Sequence, residues 1–305
     1  MERSLLILGG SGFIGSNLAD RALKEGYETH IFFNNYSSLR NKIEGAIYTQ
    51  VDLTNLELLR EKIPQDLDYL VNLSGYIDHS PFSNGGSQII DTHLGGTINL
   101  LKATNWKRLK RFVQIGSSDE YGGNLSPLNE DLPAAPISPY AFSKSASIEL
   151  LKMLHKTESF PSVMLRLFLV FGPRQDSKRF LPQLIKGCLE DKKIPVSSGE
   201  QLRDFCYVEN IVEGILLSLS CEDAVGEIIN LGSGKPISIK QMINRVHSQI
   251  GSGKPVFGEI AHRPQENMEL YADVTKAKEL LGWEERIGLE EGLDRTINHY
   301  RNEIS

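Results

Sequence analysis

A chain of 305 residues, 40% hydrophobic and 24% charged, is long enough for one large domain or two closely joined ones, with a core that needs no disulfide or metal. Its 33 basic and 39 acidic side chains leave a net charge of −6, which argues against nonspecific nucleic-acid binding. The three cysteines, Cys188, Cys206 and Cys221, lack CxxC spacing and read as reduced packing thiols in a cytoplasmic protein; no signal peptide and no run of about 18 apolar residues is read, so no membrane partner is expected.

In chain order, residues 5–8 form a short apolar run that predicts a buried parallel strand. Residues 17–25 continue as a helix closed by Gly26. Further strands are predicted at 29–33, 46–51, 68–73 and 111–115, with helices at 56–62, 89–104 and 139–157 between them. Repeated β-α units of this length imply an α/β fold whose parallel sheet is wound on both faces. Residues 164–170 read as a sixth strand, after which Gly, Pro and charged residues punctuate shorter segments. Residues 1–170 are therefore read as a dinucleotide-binding domain. Residues 171–305 are read as mainly a smaller, mixed substrate lobe, some of whose segments return to the sheet.

Gly9-Gly10-Ser11-Gly12-Phe13-Ile14-Gly15 stands between the first strand and its helix. Gly9 allows the tight turn, Gly12 lets backbone approach a pyrophosphate at the helix N-terminus, and Gly15 lets helix and strand pack closely. The setting predicts a Rossmann-type doubly wound sheet holding a nicotinamide cofactor. The spacing is GxxGxxG, and it resembles the short-chain dehydrogenase/reductases. That resemblance places Asp52-Leu53 beside the adenine, with loop capping as the other reading of Asp52, and adds Leu73, Ser74 and Gly75 to the cofactor contacts. The second strand is followed by Asn34, with no carboxylate for a ribose 2′-hydroxyl, and then by Ser37, Ser38 and Arg40, which suit a 2′-phosphate. NADP(H) is the favoured cofactor and NAD(H) the alternative.

Tyr140 and Lys144 are four residues apart on a predicted helix, so they share one face. A nearby ammonium lowers a phenol's pKa and would let Tyr140 exchange a proton near neutral pH. Ser117 and Ser118 follow the fifth strand. Their other reading is turn capping. The chain resembles the extended branch of the same family, which acts on nucleotide-diphosphate sugars. Counting back from Tyr121-Gly122 puts that branch's catalytic Ser/Thr at Ser117, with Ser118 beside the substrate. Later matches include Arg166, Phe171-Gly172-Pro173-Arg174, Arg203-Asp204-Phe205 and His262-Arg263-Pro264. The resemblance assigns Arg174, Arg203 and Arg263 to the substrate, Arg203 and Arg263 to its diphosphate; surface salt bridges are the other reading.

Three positions depart from the branch or stand outside its pattern. Leu169 and His93 each stand where it usually has Asn, and His79 in the loop after the fourth strand is either a sugar contact or a solvated side chain. No HExxH or Cys/His cluster points to a metal, and neither a phosphate loop nor a GxSxG elbow occurs. The expected function is NADPH reduction of a nucleotide-diphospho-4-keto-6-deoxyhexose at C4. The alternative is a 4-epimerase with tightly bound NAD. A 4,6-dehydratase ranks lower, because the register puts Ser118 and Asp119 where dehydratases of the branch often carry an Asp-Glu pair. A binding protein without catalysis ranks lowest. The resemblance also implies a homodimer through helices 89–104 and 139–157. The apolar positions named for that pairing are Ile89, Ile90, Leu94, Ile98, Leu101, Ile148, Leu151 and Leu154, with the chain's own core as the other reading of these faces.

Overall fold

A computed structural model describes residues 3–35, 39, 41–262 and 266–304. Ser37, Ser38, Arg40 and Arg263 lie outside the described residues. The first half runs β1 (Arg3–Leu8), α1 (Phe13–Lys24), β2 (Tyr27–Phe33), β3 (Ile47–Gln50), α2 (Leu56–Lys62) and β4 (Tyr69–Asn72). Next come α3 (Ser87–Ile90) and α4 (Gly96–Ala103), joined by a π-helical turn at Asp91–Gly95, then β5 (Arg111–Ser117), α5 (Pro139–Glu158) and β6 (Ser162–Leu167). The second half adds β7 (Leu169–Phe171), α6 (Phe180–Leu189), β8 (Lys193–Val196), β9 (Leu202–Tyr207), α7 (Val208–Ser220) and β10 (Ile228–Leu231). It closes with β11 (Pro236–Ser238), α8 (Ile239–Ile250), β12 (Lys254–Phe257), β13 (Glu269–Leu270), α9 (Thr275–Leu281) and α10 (Leu289–Ile304).

Seven strands form one parallel sheet in the order β3-β2-β1-β4-β5-β6-β10. The doubly wound α/β fold expected from the sequence is present. Alternation along the strands explains the two faces. Leu5 and Ile7 of β1 pack with Leu18 and Ala22 of α1 and Ile211 and Ile215 of α7. Leu6 and Leu8 pack with Leu59, Leu100, Leu101, Ile148 and Leu151 on the other face. Strands buried on both sides must be apolar throughout, which is what residues 5–8 display.

Two expectations change. The run 164–170 is not one strand. β6 stays in register with β5 as far as Leu167, while Leu169 already pairs with Phe205 of β9 in a second sheet. An apolar run cannot say which neighbour each residue will find. The proposed dimer faces are also largely committed elsewhere. Ile89, Leu101, Ile148, Leu151 and Leu154 are buried within this chain, and the apolar side chains that α5 turns outward are Phe142 and Met153. Helical periodicity shows that a face is covered, not what covers it.

In the lobe, β9 pairs with β7 and β13 in parallel and with β11 antiparallel; β8 and β12 form a separate parallel pair. Asp204 on β9 fixes the lobe to the sheet. Its buried carboxylate accepts from the amides of Ser233, Gly234 and Ala272, at 2.6, 2.9 and 3.1 Å.

Candidate active site

The turn after β1 is built around its glycines. Gly9 has φ +74°, and a Cβ there would lie 2.8 Å from the Leu73 carbonyl oxygen. One at Gly15 would lie 2.4 Å from the Gly9 oxygen. Above Gly12 a Cβ would meet only that same oxygen, at 3.2 Å, so this backbone is open to a ligand. Gly12 caps α1 without any side-chain hydrogen bond, and the first-turn amides of Phe13 and Ile14 face the turn as anion donors. Leu73, Ser74 and Gly75 leave β4 beside this turn, which sits where the strand order reverses between β1 and β4.

Ser117, Tyr140 and Lys144 come together one strand over. Ser117 ends β5; Ser138 caps α5 by accepting from the Ala141 amide at 3.2 Å, and Pro139 opens the helix. This cap aims Tyr140 and Lys144 at the strand end. The Ser117 hydroxyl hydrogen-bonds the Tyr140 phenol. Lys144 donates to the Ile115 carbonyl at 3.0 Å, and burial pushes its ammonium down to about 8, opposed by the charge of Glu120. The expected lowering of the phenol does not occur. Burial holds Tyr140 above the usual range, the Asp119 charge adds to this, and Ser117 and Arg179 oppose it. Desolvation outweighs the nearby cations here.

Two histidines flank the phenol. His93 is buried, edge-on to Tyr140 with ring centroids 5.5 Å apart; its Nε2 lies 3.1 Å from the Tyr76 oxygen and its Nδ1 has no partner. Burial, then the charge of Lys144, pushes its pKa down to about 3, so the ring is neutral. His79 also meets the phenol, 5.7 Å from Tyr140 and edge-on. The sequence offers His79 as a sugar contact or a solvated side chain, and marks His93 only as a departure from the branch's usual Asn.

Glu120, which the register sets aside as a member of the dehydratase Asp-Glu pair, has a structural role that sequence reasoning missed. Its side chain is fully buried, accepting from the Ser117 amide at 2.8 Å and from Arg166 Nε at 2.9 Å. Gly116 makes the room, since a Cβ there would lie 2.4 Å from Glu120 Oε1. The Asp119 amide in turn donates to Ser117 Oγ at 3.2 Å. Ser117-x-x-Glu120 is a capping-box spacing, and that signal was available in the sequence. Ser118, the neighbouring candidate, is buried in the same turn.

The remaining candidates are more dispersed. Asp52 is exposed and accepts from the amide and hydroxyl of Thr54, at 2.9 and 2.8 Å. Leu53 is buried against Gly96. Asn34 is exposed, its carbonyl accepting from Gln50. Arg174 turns toward α1, donating to the Ser16 carbonyl at 3.2 Å. Arg203 sits on β9 and bonds Glu266 at 2.9 Å. Among the described residues no group of three His, Cys, Asp or Glu side chains is placed to hold a metal, and no helix is long and apolar enough to cross a membrane.

A glycine turn at the head of a parallel sheet, with serine, tyrosine and lysine at the strand ends beside it, marks an enzyme of the extended short-chain dehydrogenase/reductase type. The chain belongs to the NAD dependent epimerase/dehydratase family, whose sequence profile matches residues 5–232. It is 32% identical over 317 residues to a UDP-glucuronate 4-epimerase of Thermodesulfobacterium geofontis, covering 98% of this chain and 96% of that one. The fold matches a crystal structure of the UDP-glucose 4-epimerase of Thermotoga maritima with UDP-glucose, at TM-score 0.92 and 26% identity over 99% of this chain and 100% of that chain. It also matches the UDP-glucuronic acid 4-epimerase of Bacillus cereus in complex with UDP-glucuronic acid and NAD, at TM-score 0.84 and 28% identity over 98% and 99%.

Proposed function

We propose that this protein is an NAD-dependent 4-epimerase of a nucleotide-diphosphate sugar. The observation that carries the reading is the end-to-end similarity to a UDP-glucuronate 4-epimerase, in a chain that gathers Ser117, Tyr140 and Lys144 at one sheet edge. This replaces the sequence preference for NADPH-dependent reduction. NAD is favoured because the Bacillus cereus neighbour is a complex with NAD. One feature still favours reduction: Asn34, rather than a carboxylate, follows β2.

The cofactor fits what is present. Gly9, Gly12 and Gly15 form a cradle that side chains would fill, and α1 offers uncapped amides for a pyrophosphate. When bound, NAD supplies a hydride acceptor and, in its oxidised form, a positive charge. The chain's own residues do the rest. Ser117 holds the sugar's C4 oxygen, Tyr140 takes and later returns its proton, and Lys144 provides a buried cation beside them. Glu120 is engaged by Arg166 and Ser117, so it is not available as the extra acid that dehydration requires. Residues 1–170 hold the cofactor in this reading, and 171–305 mainly hold the nucleotide sugar, with α7 and β10 returning to the sheet. A homodimer belongs to the same reading, with Phe142 and Met153 as the outward apolar side chains of α5.

The test is to incubate the protein with NAD and UDP-glucuronate or UDP-glucose and follow C4 configuration by NMR. Interconversion without net cofactor consumption is expected. Stoichiometric NADPH loss on a 4-keto-6-deoxy sugar nucleotide, without C4 interconversion, would establish the reductase instead.

A further inference from the structure

Residues 173–175, between β7 and α6, are held by side chains from three distant parts of the chain. Asn17 of α1 donates to the Pro173 carbonyl at 3.3 Å and, from the same nitrogen, to the Phe13 carbonyl at 2.9 Å. Asn41, in the connection between β2 and β3, donates to the Arg174 carbonyl at 3.4 Å. The Arg174 guanidinium reaches back to the Ser16 carbonyl at 3.2 Å, with Asp20 at 3.8 Å. A further set of contacts comes from α10. The buried Tyr300 hydroxyl donates to the Gln175 carbonyl at 2.8 Å, and His299 Nε2 accepts from the Arg174 amide at 3.2 Å. Glu303 lies 3.1 Å from that same nitrogen, which accepts from Arg174 while the ring is neutral with its proton on Nδ1. Arg174 itself has φ +70°, a left-handed backbone that a side chain keeps only where its surroundings enforce it.

We propose that Tyr300 and His299 are positioning residues that set how tightly the protein keeps its dinucleotide cofactor. The proposal rests on the reading of the glycine turn as the NAD site. In that reading the pyrophosphate takes the first-turn amides of α1, and the adenosine ribose lies past the end of β2. Asn17 and Arg174 bind carbonyls of the very turn that offers those amides. Asn41 comes from the connection that the ribose would meet. Residues 173–175 therefore join the two edges of the cradle. Tyr300 and His299 keep them joined by holding Arg174 in its strained conformation. Without them, Arg174 can relax to a negative φ. Its carbonyl and guanidinium would then leave Asn41 and Ser16, and the two edges would part more readily around the cofactor. An enzyme that returns a hydride to its own substrate gains from slow release of that cofactor. The assignment places Arg174 with the cofactor rather than with the nucleotide sugar, in keeping with its contacts on α1.

The experiment measures cofactor release. Protein loaded with NADH is mixed with excess NAD, and the decay of bound NADH fluorescence is followed by stopped flow. Tyr300→Phe should release NADH about two- to tenfold faster, the scale of one hydrogen bond, while KM for the nucleotide sugar stays at its wild-type value. His299→Ala should act in the same direction, and His299→Gln, which restores an acceptor, should return toward the wild-type rate. Glycine adopts a left-handed φ without strain, so the Tyr300→Phe effect should shrink in an Arg174→Gly background. A contact that merely stabilised the fold would show no such coupling. Wild-type release in Tyr300→Phe, from protein that binds NADH, overturns the proposal and leaves the cofactor reading intact. An undiminished Tyr300→Phe effect in the Arg174→Gly background also overturns it, as does a raised KM for the nucleotide sugar with wild-type release. If the wild type binds NADPH and not NADH, the NAD-dependent epimerase reading falls, and release of NADPH tests the two residues in the same way. Binding of neither overturns both.

Discussion

Two ion pairs of equal length stand in different halves of the chain. Arg166 and Glu120 are joined at 2.9 Å beneath Tyr140, with side chains 2% and 0% exposed. Arg203 and Glu266 are also joined at 2.9 Å, but in the lobe, at 11% and 21% exposed. The first pair is sealed. Its carboxylate also holds the Ser117 amide, and burial raises the Glu120 pKa against the pull of Arg166. Neither partner can leave without stranding a charge. The second pair is within reach of solvent, and under the proposed function a diphosphate would compete with Glu266 for the guanidinium. The difference teaches that distance alone does not describe an ion pair. Burial decides whether it is a fixture of the catalytic floor or a placeholder at the wall.

The predictions probe this contrast between floor and wall. Tyr140→Phe should lower kcat about 10²–10⁴-fold while the fold and cofactor binding persist. Turnover at the wild-type rate would remove Tyr140 from the chemistry. Glu120→Gln should destabilise the protein by about 3–5 kcal/mol in urea unfolding, because it strands the Arg166 charge. Adding Arg166→Met should recover much of that loss. If Glu120→Gln unfolds like the wild type, the floor is not sealed as described.

Next in size is a pH effect. Burial pushes Lys144 down to about 8, so its ammonium is present below that pH and lost above it. The kcat/KM profile should be level up to about 8 and then decline about tenfold per pH unit, and Lys144→Arg should move that limb upward. At the wall, Arg203→Ala should raise KM for the nucleotide sugar more than it lowers kcat, because the contact holds ground and transition states alike. The smallest effect is the most diagnostic. Glu266→Gln should lower KM by about two- to fivefold, the scale of a partly exposed ion pair. A raised KM would mean that Glu266 orients Arg203 rather than competing for it.

What the sequence disclosed follows the same division. Gly9, Gly12 and Gly15 were legible because the turn demands a backbone that other residues cannot follow. Tyr140 and Lys144 were legible because helix geometry alone puts positions four apart on one face. The sign of the Tyr140 shift was not legible, because burial is set by elements distant in the chain. Residues 164–170 looked like one strand, since both sheets ask for the same apolar side chains. For Ile148 and Leu151 the sequence left two readings, another copy or the chain's own core, because a covered face looks the same whichever surface covers it. Glu120 was legible as a capping-box residue, but its partner Arg166 lies 46 positions away and no local pattern links the two.

Gly75 bears on how this chain can vary over generations. It adopts φ +111°, and a Cβ there would lie 2.0 Å from His93 Cε1. Positions 75 and 93 therefore cannot drift separately. An alanine at 75 requires something narrower than imidazole at 93, and a histidine at 93 requires the glycine. Related chains should carry the two residues as a matched set, inherited or exchanged together.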